Sequence, residues 1–243
     1  MATTRRFLSS SPISGSTVSI TGDELHHLIH VNRAKCGDPI EIVDGAGTWV
    51  YGKIRMIKSG EAAVDILREE RMPKPSRSII MAPSLLKQQP MNLMIEKLAE
   101  IGVDEIRPVL FQRTDDTFQS ARLEKWKRIA FQTLKVNKRL WATDIHPPVP
   151  LAELKPHAGE VKSTILLDIS GKRNPAAALA MDFPAMCVIG PPGGILEEER
   201  EQLIREGFAP YNINDCILKT ETASLCIAAV LKLSLDASVS NAA

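Results

Sequence analysis

The sequence predicts a chain of mixed class, with a small β-rich N-terminal domain and a larger C-terminal α/β domain built on a mainly parallel sheet. Three observations carry this. From Thr17 to Ala82 short runs alternate apolar and polar residues between turn signals, as half-buried strands do. At "RMPKPSR" (71–77) two prolines and three cationic side chains interrupt the pattern, as an extended connector would. Beyond it, apolar strands alternate with helices, which argues for a parallel sheet covered on both faces. The 243 residues suffice for two ordinary domains, and the boundary is placed between residues 72 and 73.

In the first domain the strands are "TVSIT", "PIEIVDGAG", "TWVYGKIRMI" and "AAVDILR", with Asp44-Gly45 and Ser59-Gly60 as turns, and a small barrel or sandwich results. In the second, "SIIMAPS" reads as a strand. "QPMNLMIEKLAEIG" reads as a helix with Met91, Met94, Ile95, Leu98 and Ile101 on one face, opened near Pro90 and closed by Gly102. Strand "EIRPVLF", helix "RLEKWKRIAFQTLKV", strand "STILLD", helix "NPAAALAM", strand "AMCVIG", helix "ILEEEREQLIREG" and strand "FAPYNI" follow. The last helix, "ETASLCIAAVLKLSLDA", is apolar almost all round, so burial on several sides, within the domain or at a subunit interface, is expected.

Composition excludes several classes. With 44% hydrophobic and 24% charged residues and a net charge of +1, the chain is that of a globular protein, and a nucleic-acid partner would be met by local patches. Cys36, Cys187, Cys216 and Cys226 include no CxxC pair and read as reduced, mostly buried thiols, which suits a cytoplasmic location. The near-continuous apolar stretch Ala223–Leu231 is too short to span a bilayer, so no membrane partner is expected. The start, "MATTRRFLSSSPISG", has the composition of a transit peptide but no long amphipathic stretch. His26, His27, His30, His146 and His157 are scattered, and neither HExxH nor G-x-S-x-G occurs, so no metal and no hydrolytic triad is expected.

Three stretches are candidates for function. "CVIGPPGGILEEE" (187–199) places Gly193 and Gly194 between a strand and a helix, where ligands of open parallel sheets bind. Pro192-Gly193 also suits an ordinary type II turn with nothing bound. No dinucleotide fingerprint or P-loop is present, and Glu197, Glu198 and Glu199 would repel phosphate, so an adenosine-type ligand without phosphates fits better. "ILKTETASL" (217–225) is either a second ligand loop or a helix start capped by Thr220. Between residues 121 and 139 seven Lys or Arg stand against one acid, Glu124. That run is either a solvated face or, with Trp126 and Trp141, a surface for single-stranded nucleic acid.

Across nearly its whole length the chain resembles the RsmE-type methyltransferases of the SPOUT class. "RRFLSS", "HHLIHVNRAKCGD" and "DGAG" match that family's PUA-like first domain, and "EKLAEIGVDEIRPV" and "FQRT" match the start of its catalytic domain. "VIGPPGG" and "ILKTETASL" match its two cofactor loops. The resemblance implies methylation of N3 of a uridine in small-subunit ribosomal RNA, with S-adenosylmethionine as cofactor, by a homodimer acting on the RNA or the small ribosomal subunit. It also implies a deep trefoil knot in the C-terminal domain, a form that general folding rules disfavour. Carried over residue by residue, the cofactor contacts are Leu167, Gly190, Gly193, Gly194, Ile213, Ile217, Leu218, Glu221 and Thr222, and the RNA contacts are Arg5, Arg6, Arg33 and Arg113. Arg113 would stabilise the developing imidate, and Glu221 would hold the loop or take a proton.

Several positions depart from the family pattern. Pro192 replaces a usual Glu, Asn214 a Gly, Cys216 and Lys219 each an Arg, and "KVNKR" a Gln-Ser-Gly-Arg-like segment. Asn tolerates the left-handed conformation that Gly supplies, whereas Lys219 loses a planar fork of donors. The departures at Pro192, Cys216 and Lys219 motivate an alternative, an RNA-binding or ribosome-assembly protein that keeps the fold without transfer activity.

Overall fold

The computed structural model describes residues 5–154, 161–172 and 181–240. His157 and nearly all of the helix expected over "NPAAALAM" lie outside these residues. The chain forms two compact units, residues 1–74 with 131–142, and residues 75–130 with 143–243.

In the first unit the elements are β1 (Arg6–Leu8), β2 (Thr17–Ile20), a short helix α1 (Gly22–His26) continuing into a π-helical turn (His27–Val31), β3 (Pro39–Val43), β4 (Thr48–Lys58) and β5 (Glu61–Arg71). They form a five-stranded sheet in the order β1-β3-β4-β5-β2, antiparallel except between β1 and β3. Period-two alternation sends Phe7, Ile20, Ile40, Ile42, Val50, Ile54 and Val64 into one core. The Asp44 carboxylate fixes the β3–β4 turn by accepting the N–H groups of Ala46 and Thr48 at 2.8 and 3.0 Å.

Residues 131–142, grouped with the second domain by their position in the sequence, pack with the first unit. Leu134 shares a small core with Leu8 and Val43, with Phe131 and Leu140 against it. Trp141 Nε1 donates to the carbonyls of Met72 and Pro73 at 3.0 and 3.1 Å.

The remaining elements are β6 (Ile79–Pro83), α2 (Gln88–Ile101), β7 (Glu105–Ile106), β8 (Val109–Leu110), α3 (Ser120–Gln132), α4 (Leu134–Asn137), β9 (Asp144–Ile145), β10 (Val149–Pro150), β11 (Ser163–Lys172), β12 (Ala185–Ile189), α5 (Glu197–Arg205), β13 (Ala209–Tyr211) and α6 (Thr220–Ser240). Among the described residues the main sheet is six-stranded and all parallel, in the order β13-β11-β12-β6-β7-β9. Ile79, Met81, Ala185, Cys187 and Ile189 face one core, with α2 and α6. Ile80, Ala82, Met186 and Val188 face another, with Leu203 and Phe208. Burial on both faces is why these strands read as continuous apolar runs.

Two expectations need correction. "EIRPVLF" is two strands, because Pro108 has no N–H to continue a ladder: β7 pairs with β6 and β9, and β8 pairs with β10. Only Cys187 of the four cysteines is buried, and its burial pushes the thiol pKa up, whereas Cys36, Cys216 and Cys226 are exposed in a turn, a loop and a helix face. Within one chain α6 buries a single face, through Thr220, Ala223, Ser224, Ile227, Ala228, Leu231, Ser234 and Leu235. Thr222, Cys226, Ala229 and Leu233 form an exposed, mostly apolar stripe opposite, with Leu233 65% exposed.

Glu105 on β7 gives the second unit an acid-sensitive contact. His146 Nε2 at 3.4 Å and Arg107, whose NH2 and Nε lie 2.6 and 3.0 Å from Oε2, outweigh burial and lower the carboxyl pKa from 4.5 to about 2. A depressed pKa stabilises the fold above the unfolded value, and the gain is lost as pH falls through the folded one. A contribution on the order of 3 kcal/mol at most is therefore expected at neutral pH, disappearing between about pH 4.5 and 2. Acid unfolding of Glu105→Gln should lack this component; an unchanged pH profile would refute the assignment.

Candidate functional site

The carboxyl ends of β11, β12 and β13, with the loops that follow β12 and β13, enclose a cavity of about 370 Å³. Its walls are largely apolar: Leu167, Ile189, Ile195, Ile213, Ile217 and Leu218 contribute side chains. Such a volume and lining suit a small organic ligand rather than an ion.

The first loop turns sharply over Pro192-Gly193, where the Gly194 N–H donates to the Pro191 carbonyl at 2.9 Å. These are the two central residues the dipeptide suggests, but positive φ falls on Gly194 (+79°) and not on Gly193, so the turn is not type II. Gly190 is bare for a different reason: a Cβ there would lie 2.3 Å from Ile195 Cγ1, because the loop folds back on itself. Gly190→Ala is expected to cost about 1–3 kcal/mol through overpacking and to weaken ligand binding together with thermal stability. A variant with native melting temperature and affinity would contradict this close approach.

The second loop is braced from within. Thr220, the first residue of α6, donates its hydroxyl to the Gly190 carbonyl at 2.9 Å, so it ties the two loops together instead of capping its own helix. Asn212 Nδ2 donates to the Ile169 carbonyl at 2.9 Å, and its Oδ1 accepts the Asn214 N–H at 2.9 Å. That bond holds the turn without a left-handed Asn214; among the described residues only Arg33 and Lys138 are non-glycine residues with positive φ.

One charged pair lines the cavity. Arg200 Nε donates to Asp168 Oδ2 at 2.6 Å, and the Ser170 N–H donates to Oδ1 at 2.9 Å. Burial alone would raise the Asp168 pKa, but these hydrogen bonds hold it below the usual carboxylate range. The sequence reading missed Asp168, Arg200 and Asn212. An acid at the end of the apolar run "TILLD" is the one local signal that could have drawn attention to the pair.

Of the residues expected at the cofactor, Leu167, Gly190, Gly194, Ile213, Ile217 and Leu218 line this cavity, as do the atypical Pro192, Asn214 and Cys216. Gly193, Glu221 and Thr222 are not in its lining; Gly193 is on the exposed turn, and Glu221 and Thr222 follow Thr220 on α6. Arg113 is exposed, and its NH1 donates to the Gly193 carbonyl at 2.8 Å. In the first unit Arg33 is exposed, and the exposed Arg5 donates to the carbonyl of Asn32 beside it. Arg6 is a correction. Its side chain is 9% exposed and committed to Glu41 at 3.1 Å and to the carbonyls of Leu134 and Arg139, so it braces the first unit and presents no free surface to RNA.

The basic run also changes meaning. Trp126 is fully buried and cannot stack on a base, and Trp141 holds the connector carbonyls. Arg122 is spent on Asp116 at 2.7 Å and the Leu86 carbonyl at 2.8 Å, while Lys125 and Arg128 face solvent. Among the described residues no group of three or more His, Cys, Asp or Glu could hold a metal, and no helix is long and apolar enough to cross a membrane.

Residues 20–67 match the family model of the RNA methyltransferase PUA domain, and residues 73–232 that of the RNA methyltransferase domain. A PUA-like domain followed by a parallel α/β domain with a cavity at its strand ends thus places the protein in the class of two-domain RNA methyltransferases. The chain belongs to the RNA methyltransferase domain family.

Among its relatives is the ribosomal RNA small subunit methyltransferase E of Aquifex aeolicus, 27% identical over 222 residues, or 89% of this chain and 94% of that protein. The protein of the same name from Synechocystis is 25% identical, over 86% of this chain and 70% of that protein. A solved structure from Thermotoga maritima, described as a predicted RNA methyltransferase, superposes with a TM-score of 0.74 at 26% identity, covering 96% of this chain and 99% of that one. The ribosomal RNA small subunit methyltransferase E of Neisseria gonorrhoeae, solved bound to S-adenosyl methionine, shares the fold with a TM-score of 0.79 at 24% identity, over 94% and 97% of the two chains.

Proposed function

We propose that this protein methylates N3 of a uridine in small-subunit ribosomal RNA, in the cytoplasm and as a homodimer, with S-adenosylmethionine as methyl donor. The observation that carries the reading is the cavity itself, largely apolar in its walls and, among the described residues, without a cluster of cations to hold phosphates. Leu167, Ile189, Ile213 and Leu218 would hold an adenosine, and the main chain around Gly190 and Gly194 would meet the rest of the cofactor. When bound, S-adenosylmethionine supplies a methyl group on a sulfonium.

The chain's own work is positioning and electrostatics. A uridine N3 is an imide nitrogen that must lose its proton as it becomes a nucleophile, leaving negative charge on the ring. Arg113, held against the turn by the Gly193 carbonyl, is assigned to that charge. Glu221, at the head of α6, is assigned to holding the second loop or accepting the proton. Exposed Arg5 and Arg33 are assigned to RNA phosphates, so Arg33→Ala should lower RNA affinity and reduce the salt dependence by about one charge; an unchanged slope would argue against the contact.

The exposed stripe on α6 supports pairing of two copies, and the packing of α6 on α2, β6 and β12 supports the threaded C-terminus of a trefoil knot. The decisive experiment maps methylated positions in ribosomal RNA from cells with and without the protein. Loss of one N3-methyluridine on deletion, restored by the gene, is the expected result; an unchanged map sinks it. Pro192 and Cys216 in the cavity wall favour the second reading, a non-catalytic RNA-binding or ribosome-assembly protein. Calorimetry showing no S-adenosylmethionine binding at millimolar concentration, with RNA still bound, would establish that one instead.

A further inference from the structure

The turn over Phe111–Thr114 is fastened at several points. Thr114 Oγ1 accepts the Phe111 N–H at 2.8 Å and lies 3.3 Å from the Oγ of Ser84, fully buried just beyond β6. The Gln112 N–H donates to Glu199 Oε1 at 2.7 Å, and Arg113 NH1 reaches the Gly193 carbonyl at 2.8 Å. Glu199 Oε2 in turn accepts the N–H of Leu196, the residue joining the cofactor loop to α5, at 3.0 Å. The Glu199 carboxylate therefore bridges main-chain groups of two segments, and the residue is only 5% exposed.

Helix capping explains one of those bonds and not the other. A glutamate at the third helical position ordinarily folds back on the residue before the helix, as Glu199 does on Leu196. The start of α5 has no need of an N–H donor 87 residues away in sequence. A buried carboxylate accepting two N–H groups from separate loops fixes their spacing, because each bond lost would leave the carboxylate short of a partner in a place with little water. The segments it joins are the one that lines the cavity and the one that carries Arg113.

We propose that Glu199 is a positioning residue that couples the cofactor loop to the placement of Arg113. The inference rests on the methyltransferase reading, in which Arg113 faces the reacting base. Any shift of residues 190–196 on ligand binding is passed through Leu196 and Glu199 to Gln112, the neighbour of Arg113, and through the Gly193 carbonyl to Arg113 itself. A small misplacement of such a group can cost as much as about 100-fold in rate.

The test is a double-mutant cycle in the full-length protein. Methyl transfer from labelled S-adenosylmethionine to small ribosomal subunits, isolated from cells lacking the protein, is measured for Glu199→Gln, Arg113→Ala and the double variant. Gln keeps the shape but turns a donor toward one of the two N–H groups. It should lower kcat about tenfold, with KM for the cofactor changed less than about threefold, and should add less than about twofold to the loss already caused by Arg113→Ala. Equal losses in both backgrounds overturn the proposal, since Glu199 would then merely support the fold.

Glu199→Asp covers the case in which the Gln variant does not fold. It keeps the charge but is one methylene too short to hold both partners, and the same non-additivity is required of it. If Arg113→Ala is too slow to measure, Arg113→Lys serves as the background. A wild-type protein without transfer sinks the methyltransferase reading and this coupling with it. A wild-type protein that transfers while its variants are additive sinks the coupling alone.

Discussion

Replacing Arg113 by alanine is expected to cut methyl transfer roughly 100-fold or more while leaving the melting temperature close to wild type. The size is what losing one preorganised donor to a developing anion costs, which is the role proposed for Arg113. The selectivity follows from exposure: Arg113 packs into no core, and its side chain donates to the Gly193 carbonyl. Cofactor affinity, measured by calorimetry, should change little, because Arg113 is not part of the cavity lining. Arg113→Lys should recover only part of the rate, since an ammonium keeps the charge but not the planar fork. A near-normal kcat in Arg113→Ala would remove the residue from the mechanism.

Trp126→Ala is expected to be the most damaging change to stability, about 3–5 kcal/mol and roughly 10 °C in melting temperature. Trp126, on α3, is fully buried in a core that also holds residues of α2 and α6, with the Phe118 ring 5.7 Å away and the Arg122 guanidinium 5.1 Å over its ring. Its Nε1–H is buried without a hydrogen-bond partner. An unpaired donor of that kind costs about 1–3 kcal/mol, so Trp126→Phe should lose far less than Trp126→Ala. Denaturant unfolding of the two variants measures the difference; equal losses would mean that indole packing outweighs the unpaired N–H.

The correction at Trp126 shows what kind of information the sequence lacks. Cations beside an aromatic residue resemble a base-stacking surface, yet the same letters describe a helix with a buried Trp and a solvated basic face. Which face turns inward is decided by what packs on it. Arg6 fails as an RNA contact for the same reason, since its partners Glu41, Leu134 and Arg139 come from distant parts of the chain. The two loops that line the cavity were easier to read, because a strand end, a glycine-rich turn and a helix start are neighbours in sequence. Even there Gly190 and Gly194 serve different ends, close approach of Ile195 in one case and a positive φ in the other.

The alternation of most strands and helices, the change of period near residue 75, and the two loops at the strand ends were legible in the sequence itself. Hydrophobic periodicity and turn chemistry act over a few residues, so they are written locally. The tertiary structure alone decided that residues 131–142 join the first unit, that Asp168 and Arg200 share the cavity wall, and that Glu199 spans 87 positions to hold Gln112. Each depends on groups far apart in the chain meeting where water is partly excluded, so that apolar packing or the pairing of a charge or N–H selects the partner. No local pattern encodes such a meeting, because the energy that fixes it exists only once the chain has folded.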